Sequence, residues 1–133
     1  MTTDTGAPGP AGASIAPWLS VSHATEALAF YKSAFGAAER YRLDDDSGKP
    51  VVAQMTIGEA GFWLQEDADS SPDRLDRLPV RMILTVGDPD SLFERAIGAG
   101  ATEISPVSED HGWRIGRIAD PFGHHWEIGR PVG

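Results

Sequence analysis

Hydrophobic and polar positions alternate along this chain in two periods, two and about 3.6, which mark strands and helices respectively. Residues 16–21 read as a short strand. Ser22 is placed as the N-cap of a helix over Ala24–Phe35, in which Leu28, Tyr31 and Phe35 recur at spacings of three and four and make one apolar stripe. Gly36 ends that helix as its C′ residue. Strands follow at 39–43, 51–57 and 62–66, separated by turns at 44–48 and 58–61. Residues 67–78 hold four Asp, two Arg and a Pro and read as an exposed linker. The pattern then begins again. A strand at 81–86 leads to Asp88 as N-cap and Pro89 at N1, where a missing N–H costs nothing. Leu92, Phe93, Ala96 and Ile97 form the next apolar stripe, and Gly100 is its C′ stop. A short strand at 102–104 is followed by a loop through Gly112. Strands at 114–119 and 125–128 close the chain as a hairpin around Asp120-Pro121-Phe122-Gly123, where Pro presets φ and Gly supplies conformational freedom. In the last strand, period two puts His125 and Glu127 on one face and Trp126 and Ile128 on the other.

The two halves repeat. Leu19-Ser20-Val21 aligns with Leu84-Thr85-Val86, 65 positions on (86 minus 21), and Phe35-Gly36-Ala37 with Ala99-Gly100-Ala101, 64 on (100 minus 36). Each half reads as strand, helix and three strands. One half alone has an apolar sheet face that it cannot bury. The expectation is an α+β fold in which two βαβββ modules, about 15–67 and 80–130, pair into an open, cupped mixed β-sheet with the helices outside. They form a single domain over 15–133, after a flexible tail at 1–14 made of residues that cannot pack.

Composition narrows the functions. At 133 residues the chain is long enough for one domain with a real core. The absence of cysteine excludes disulfides and thiolate chemistry. No apolar run approaches the roughly 20 residues that span a bilayer. No basic segment followed by an apolar stretch opens the chain as a secretory signal would. A cytoplasmic protein with no membrane partner is expected. The net charge of −9 argues against nucleic acid, whose phosphates need clustered Lys and Arg. It could favour a cationic ligand, or do no more than confer solubility.

Four features carry a resemblance. They are the duplicated βαβββ pattern, Glu26-Ala27-Leu28-Ala29-Phe30-Tyr31 ahead of Phe35-Gly36, the Ala99-Gly100-Ala101 stop, and Asp120-Pro121-Phe122-Gly123-His124-His125-Trp126-Glu127-Ile128. Together they resemble the vicinal oxygen chelate superfamily, which includes glyoxalase I, extradiol dioxygenases, methylmalonyl-CoA epimerases, fosfomycin-resistance transferases and bleomycin-resistance binding proteins. The resemblance covers about residues 15–130. It speaks to fold rather than to activity, because these activities share one scaffold. It implies a homodimer. It also implies where a divalent ion would sit in members that use one: up to four positions, on the first and last strands of each module. The repeat puts these at Ala16, Trp63, Arg81 and Glu127. Only Glu127 can ligate a cation, and a catalytic site normally needs about three protein ligands. No cofactor is therefore expected. The alternative is a rebuilt metal site using Glu127 and His125. Of the other histidines, His23 sits at a helix start, His111 in a loop, and His124 alternates away from Glu127. The remaining role for Glu127 is an ion pair with Arg81, which would offset the cost of burying a lone carboxylate.

Strand alternation puts Trp18 and Ser20 on the cavity side with Ala16, Gln65 with Trp63, and Ile83 and Thr85 with Arg81. Leu19, Val21, Phe62, Leu64, Met82, Leu84 and Val86 are assigned to packing under the helices. The candidate ligand-binding set is Trp18, Ser20, Trp63, Gln65, Arg81, Thr85, Trp113, His125 and Glu127, with Trp113 and Arg114 able to form a lip. Apolar walls with a few orienting polar groups fit a small-molecule pocket. Trp18 and Trp63 could equally plug it. Three functions follow. The first is a metal-free protein, resembling bleomycin-resistance members, that sequesters an aromatic or cationic small molecule. The second is an enzyme resembling glyoxalases or dioxygenases, with Glu127 as the catalytic acid–base group helped by His125 and with Arg81 stabilising developing negative charge. The third is a structural module with a filled cavity. A carboxylate held by a guanidinium is a poor base until that pair is broken, so the first is the function expected.

Overall fold

A computed structural model describes residues 15–70 and 81–132. The expected tail at 1–14, and most of the expected linker, lie outside the described residues. Element order is β1 (Trp18–Val21), α1 (Ala24–Phe35), β2 (Ala38–Asp44), β3 (Pro50–Ile57), β4 (Ala60–Glu66), β5 (Met82–Thr85), α2 (Pro89–Gly98), β6 (Thr102–Asp110), β7 (Trp113–Ala119) and β8 (His125–Pro131). The fold is α+β, built of two βαβββ modules. Each contributes a four-stranded mixed sheet, in the orders β1-β4-β3-β2 and β5-β8-β7-β6. In each sheet the first strand of the module runs parallel to the last, and the other pairings are antiparallel. No helix among the described residues is long and apolar enough to cross a membrane.

The repeat extends to register. Trp18 lies opposite Trp63 in the first module and Ile83 opposite Glu127 in the second. These pairs are offset by 65 (83 minus 18) and 64 (127 minus 63), the offsets read from sequence. Leu19, Val21, Phe62, Leu64, Met82 and Leu84 are buried and Val86 packs against the same core, so the helix-side face was correctly assigned. One aromatic cluster spans both modules. Trp126 of β8 lies 4.8 Å from the Phe35 ring, 5.7 Å from Tyr31 and 5.6 Å from Phe62, measured between centroids. Such rings bury large areas, and their tilted and edge-to-face contacts add to that.

Three local expectations are corrected. Ser22 does not cap α1. His23 occupies the cap position but its side chain makes no capping bond, and the Ala24 amide donates instead to Glu66 Oε1 at 2.8 Å. A carboxylate from β4 thus satisfies an orphan N–H and faces the positive end of the helix dipole. The loop expected after residue 104 is strand: β6 runs to Asp110 as an edge, irregular in register around Ser105. Pro106 is tolerated there because an edge strand has one side that needs no ladder bond. At α2, Asp88 accepts from the Ser91 amide at 3.2 Å with Pro89 in the first turn, as its sequence indicates. Gly36 takes φ 68°, closing α1 in the left-handed conformation open to glycine.

The modules are tied through one buried carboxylate. Asp120 Oδ1 accepts from the Phe122 and His124 amides, both at 2.9 Å, and its Oδ2 accepts from Tyr31 Oη at 2.6 Å and Trp126 Nε1 at 2.9 Å. Burial pushes the Tyr31 phenol well above its ordinary value of 10.0, and the Asp120 charge and hydrogen bond push it further. Above pH 10 the unfolded state therefore releases this proton while the folded state keeps it. Stability is full below pH 10 and falls as pH rises beyond it, by up to about 1.4 kcal/mol per pH unit. Urea denaturation at pH 9 to 11 is expected to show this steeper decline in the wild type than in Tyr31→Phe. Parallel declines would mean that Tyr31 ionises freely in the fold.

Strands β7 and β8 approach unusually closely at Gly129. A Cβ there would lie 2.7 Å from the Arg114 carbonyl oxygen and 2.8 Å from Ile115 Cβ. Backbone cannot swing aside as a side-chain tip can. Gly129→Ala is expected to cost about 1–3 kcal/mol through overpacking. An unchanged urea midpoint would show that the hairpin opens without penalty.

Candidate ligand cavity

The cavity-side faces of the two sheets differ in chemistry. On the first, Trp18 and Trp63 stack at 5.9 Å with planes 21° apart, and Tyr41 meets the Trp63 edge at 6.0 Å. Trp18 Nε1 donates to Gln65 Oε1 at 3.0 Å. This row is open: Trp18, Tyr41 and Leu43 are each about half exposed. The tryptophans therefore line a face rather than plug an interior. The Ser20 carbonyl accepts from His124 Nε2 at 2.9 Å, which requires the tautomer protonated there and adds a second tie between modules.

On the second face, Arg81 Nε donates to Glu127 Oε2, forming the expected ion pair. Arg117 Nη2 donates to the same oxygen at 3.0 Å. Two guanidinium groups thus share one carboxylate. Arg117 was missed from sequence, yet a signal was present. The turn at 120–123 closes the hairpin with Ala119 opposite His125, so stepping two residues along each strand puts Arg117 opposite Glu127. His125 shares the Glu127 face by alternation. Thr85 is exposed opposite Gly129, and Trp113 is half-buried opposite Pro131.

Arg114 is not part of a lip with Trp113. Adjacent strand residues face opposite ways. Arg114 turns to α2, where its Nε donates to Asp90 Oδ1 at 2.6 Å and its Nη2 to Oδ2 at 2.5 Å. These hydrogen bonds hold the Asp90 carboxyl below the usual range.

The positions implied for a metal do not make a donor set. Ala16 and Trp63 offer no ligand, Arg81 is a cation, and Glu127 is engaged by two arginines. His111, at φ 50°, and His23 lie exposed elsewhere. Among the described residues no three His, Cys, Asp or Glu side chains are grouped so as to hold a metal ion. These four positions do not fit a catalytic divalent ion.

Between the modules lies a cavity of about 810 Å³. Its walls include Ala16 and Pro17 ahead of β1, Gln54 and Thr56 of β3, Phe62 of β4, Arg81 to Leu84, and Trp126 of β8. Of the expected binding residues only Arg81 lines it, with the expected neighbours Ala16 and Ile83. The others occupy the open faces beside it. Phe62, Met82 and Leu84, read from sequence as packing residues, are also cavity wall, as is Trp126, because the space between the modules reaches the edge of the core.

Residues 18–129 match the sequence profile of a family described as a glyoxalase-like domain. An uncharacterized protein of Mycobacterium tuberculosis is 39% identical over 127 residues, covering 89% of this chain and 74% of its own. An uncharacterized protein of Arabidopsis thaliana is 27% identical over 114 residues, covering 76% and 68%. Among solved structures, TioX from Micromonospora sp. ML1 superposes with TM-score 0.73 at 21% identity, covering 91% of this chain and 100% of that one. The fosfomycin resistance protein FosX from Listeria monocytogenes gives 0.73 at 17%, covering 91% and 94%. At these identities the structural likenesses establish the fold alone.

Proposed function

This chain belongs to the glyoxalase-like family of the vicinal oxygen chelate superfamily, and from that premise we propose that it binds a small molecule in the cavity between its modules without using a metal ion. The observation that carries this reading is the cavity itself. Its 810 Å³ falls in the range of small-ligand sites, and its walls are apolar apart from a few polar groups that could orient a ligand. The binding is reported by Trp126, which is part of the cavity wall. In ¹H–¹⁵N spectra, small aromatic fragments are expected to shift the Trp126 indole N–H saturably, and Ala16→Phe, which fills the space, is expected to abolish the shift. Fragments that leave Trp126 unmoved, or shifts that survive Ala16→Phe, would sink the reading.

The reading includes a homodimer. The row of Trp18, Tyr41 and Leu43 is an apolar face of the kind that soluble monomers rarely leave uncovered. A second copy is its occupant. Sedimentation is expected to give twice the chain mass, shifting to the monomer in Tyr41→Lys/Leu43→Lys. A wild-type monomer at micromolar concentration would overturn this part.

A further inference from the structure

We infer that the ligand of the inter-module cavity is an amphiphilic anion whose oxyanion group docks on the Arg81 guanidinium; the inference rests on the cavity being the binding site. The argument begins with charge. Arg81 and Arg117 both bind Glu127, so two positive groups share one negative group. Arg81 spends its Nε on Glu127, and among the described residues no second carboxylate engages it. Among the described residues neither of its Nη groups makes a hydrogen bond, which leaves both as donors in the planar fork that matches an oxyanion. Among the described residues Arg81 is also the one cation lining the cavity.

The surroundings define the rest of the ligand. Phe62, Met82, Leu84 and Trp126 offer apolar walls, while Gln54 and Thr56 add neutral polar groups. Glu59 also lines the cavity, but it is exposed on the β3–β4 turn, where water screens it. A cationic ligand would approach the Arg81 guanidinium unfavourably, whatever the net charge of −9 does at a distance. At contact distance the guanidinium acts more strongly than charge spread over the surface, most of which lies beyond the screening length.

Three probes with one apolar body separate the possibilities: benzylphosphonate, benzyl alcohol and benzylamine. Their affinities are read from the Trp126 indole signal of the full chain. Benzylphosphonate is expected to bind at least ten-fold more tightly than benzyl alcohol, benzylamine most weakly, and inorganic phosphate to compete with the phosphonate. Arg81→Gln is expected to erase the advantage of the phosphonate. Equal or tighter binding of benzyl alcohol would overturn the anion inference and leave the cavity reading standing. Phosphonate binding that survives Arg81→Gln would overturn the assignment to Arg81. Failure of all three probes would count against the cavity reading as well. Should Arg81→Gln not fold, the order of the three probes on the unsubstituted protein still decides the inference.

Discussion

Asp120→Ala is expected to destabilise the protein by about 3–5 kcal/mol, the loss typical of breaking a buried charged network by removing one partner. Asp120 is 4% exposed and accepts four hydrogen bonds. Alanine would leave the Tyr31 hydroxyl, the Trp126 indole N–H and two turn amides as donors without this acceptor. Each such donor costs about 1–3 kcal/mol when stranded, and relaxation of the turn recovers part of the sum. The loss is a large fraction of the about 5–15 kcal/mol that holds a typical domain together. Asp120→Asn keeps one acceptor oxygen but sets an NH₂ against two donors, so its loss should be intermediate. Urea denaturation measures both. An Asp120→Ala variant within about 1 kcal/mol of wild type would show that these bonds contribute little net stability. The consequence reaches the cavity, because the same Oδ2 anchors Trp126, part of its wall. Asp120→Asn should therefore weaken ligand binding even where the fold survives.

What could be read in the sequence followed from local chemistry and periodicity. The α1 bounds, the Asp88-Pro89 start of α2, the hairpin turn and the core-facing side of β1, β4 and β5 all depend on neighbours within a few residues, and the offset repeat carried that reading into register. The failures share a different origin. Ser22 lost the cap to Glu66, 42 positions beyond the Ala24 amide it accepts from, which no local pattern announces. Residues 105–110 pair with β7 although Pro106 and a run of exposed polar residues hide any alternation. Asp120 was read as turn chemistry, and rightly so, but its bond to Tyr31 crosses 89 positions. The candidate site divided the same way. Strand alternation identified which side chains share a face, and the Arg81–Glu127 pair forms. Where the sheets separate is set by how the modules pack, and that moved the cavity toward Phe62 and Trp126 and away from Trp18 and Trp63.

Glu127→Gln is the second large effect, and it separates a catalytic carboxylate from one that positions arginines. The substitution keeps shape but removes the only charge that, among the described residues, pairs with Arg81 and Arg117. A fully buried pair broken in this way loses about 3–5 kcal/mol. Here the Glu127 side chain is 15% exposed, but Arg81 and Arg117 are 46% and 33% exposed, so solvent screening reduces the expected loss to about 2 kcal/mol. Added phosphate should then restore stability, because an anion that binds only the folded state contributes about 1.4 kcal/mol at ten times its Kd. The wild type, already holding its own carboxylate there, should respond less. Benzylphosphonate should bind Glu127→Gln more tightly than wild type, since no internal anion competes for Arg81. Were Glu127 instead a proton acceptor that leaves the arginines unconstrained, the variant would keep its stability, ignore phosphate and bind the phosphonate no better. Thermal melts across a phosphate series distinguish the two outcomes in one experiment.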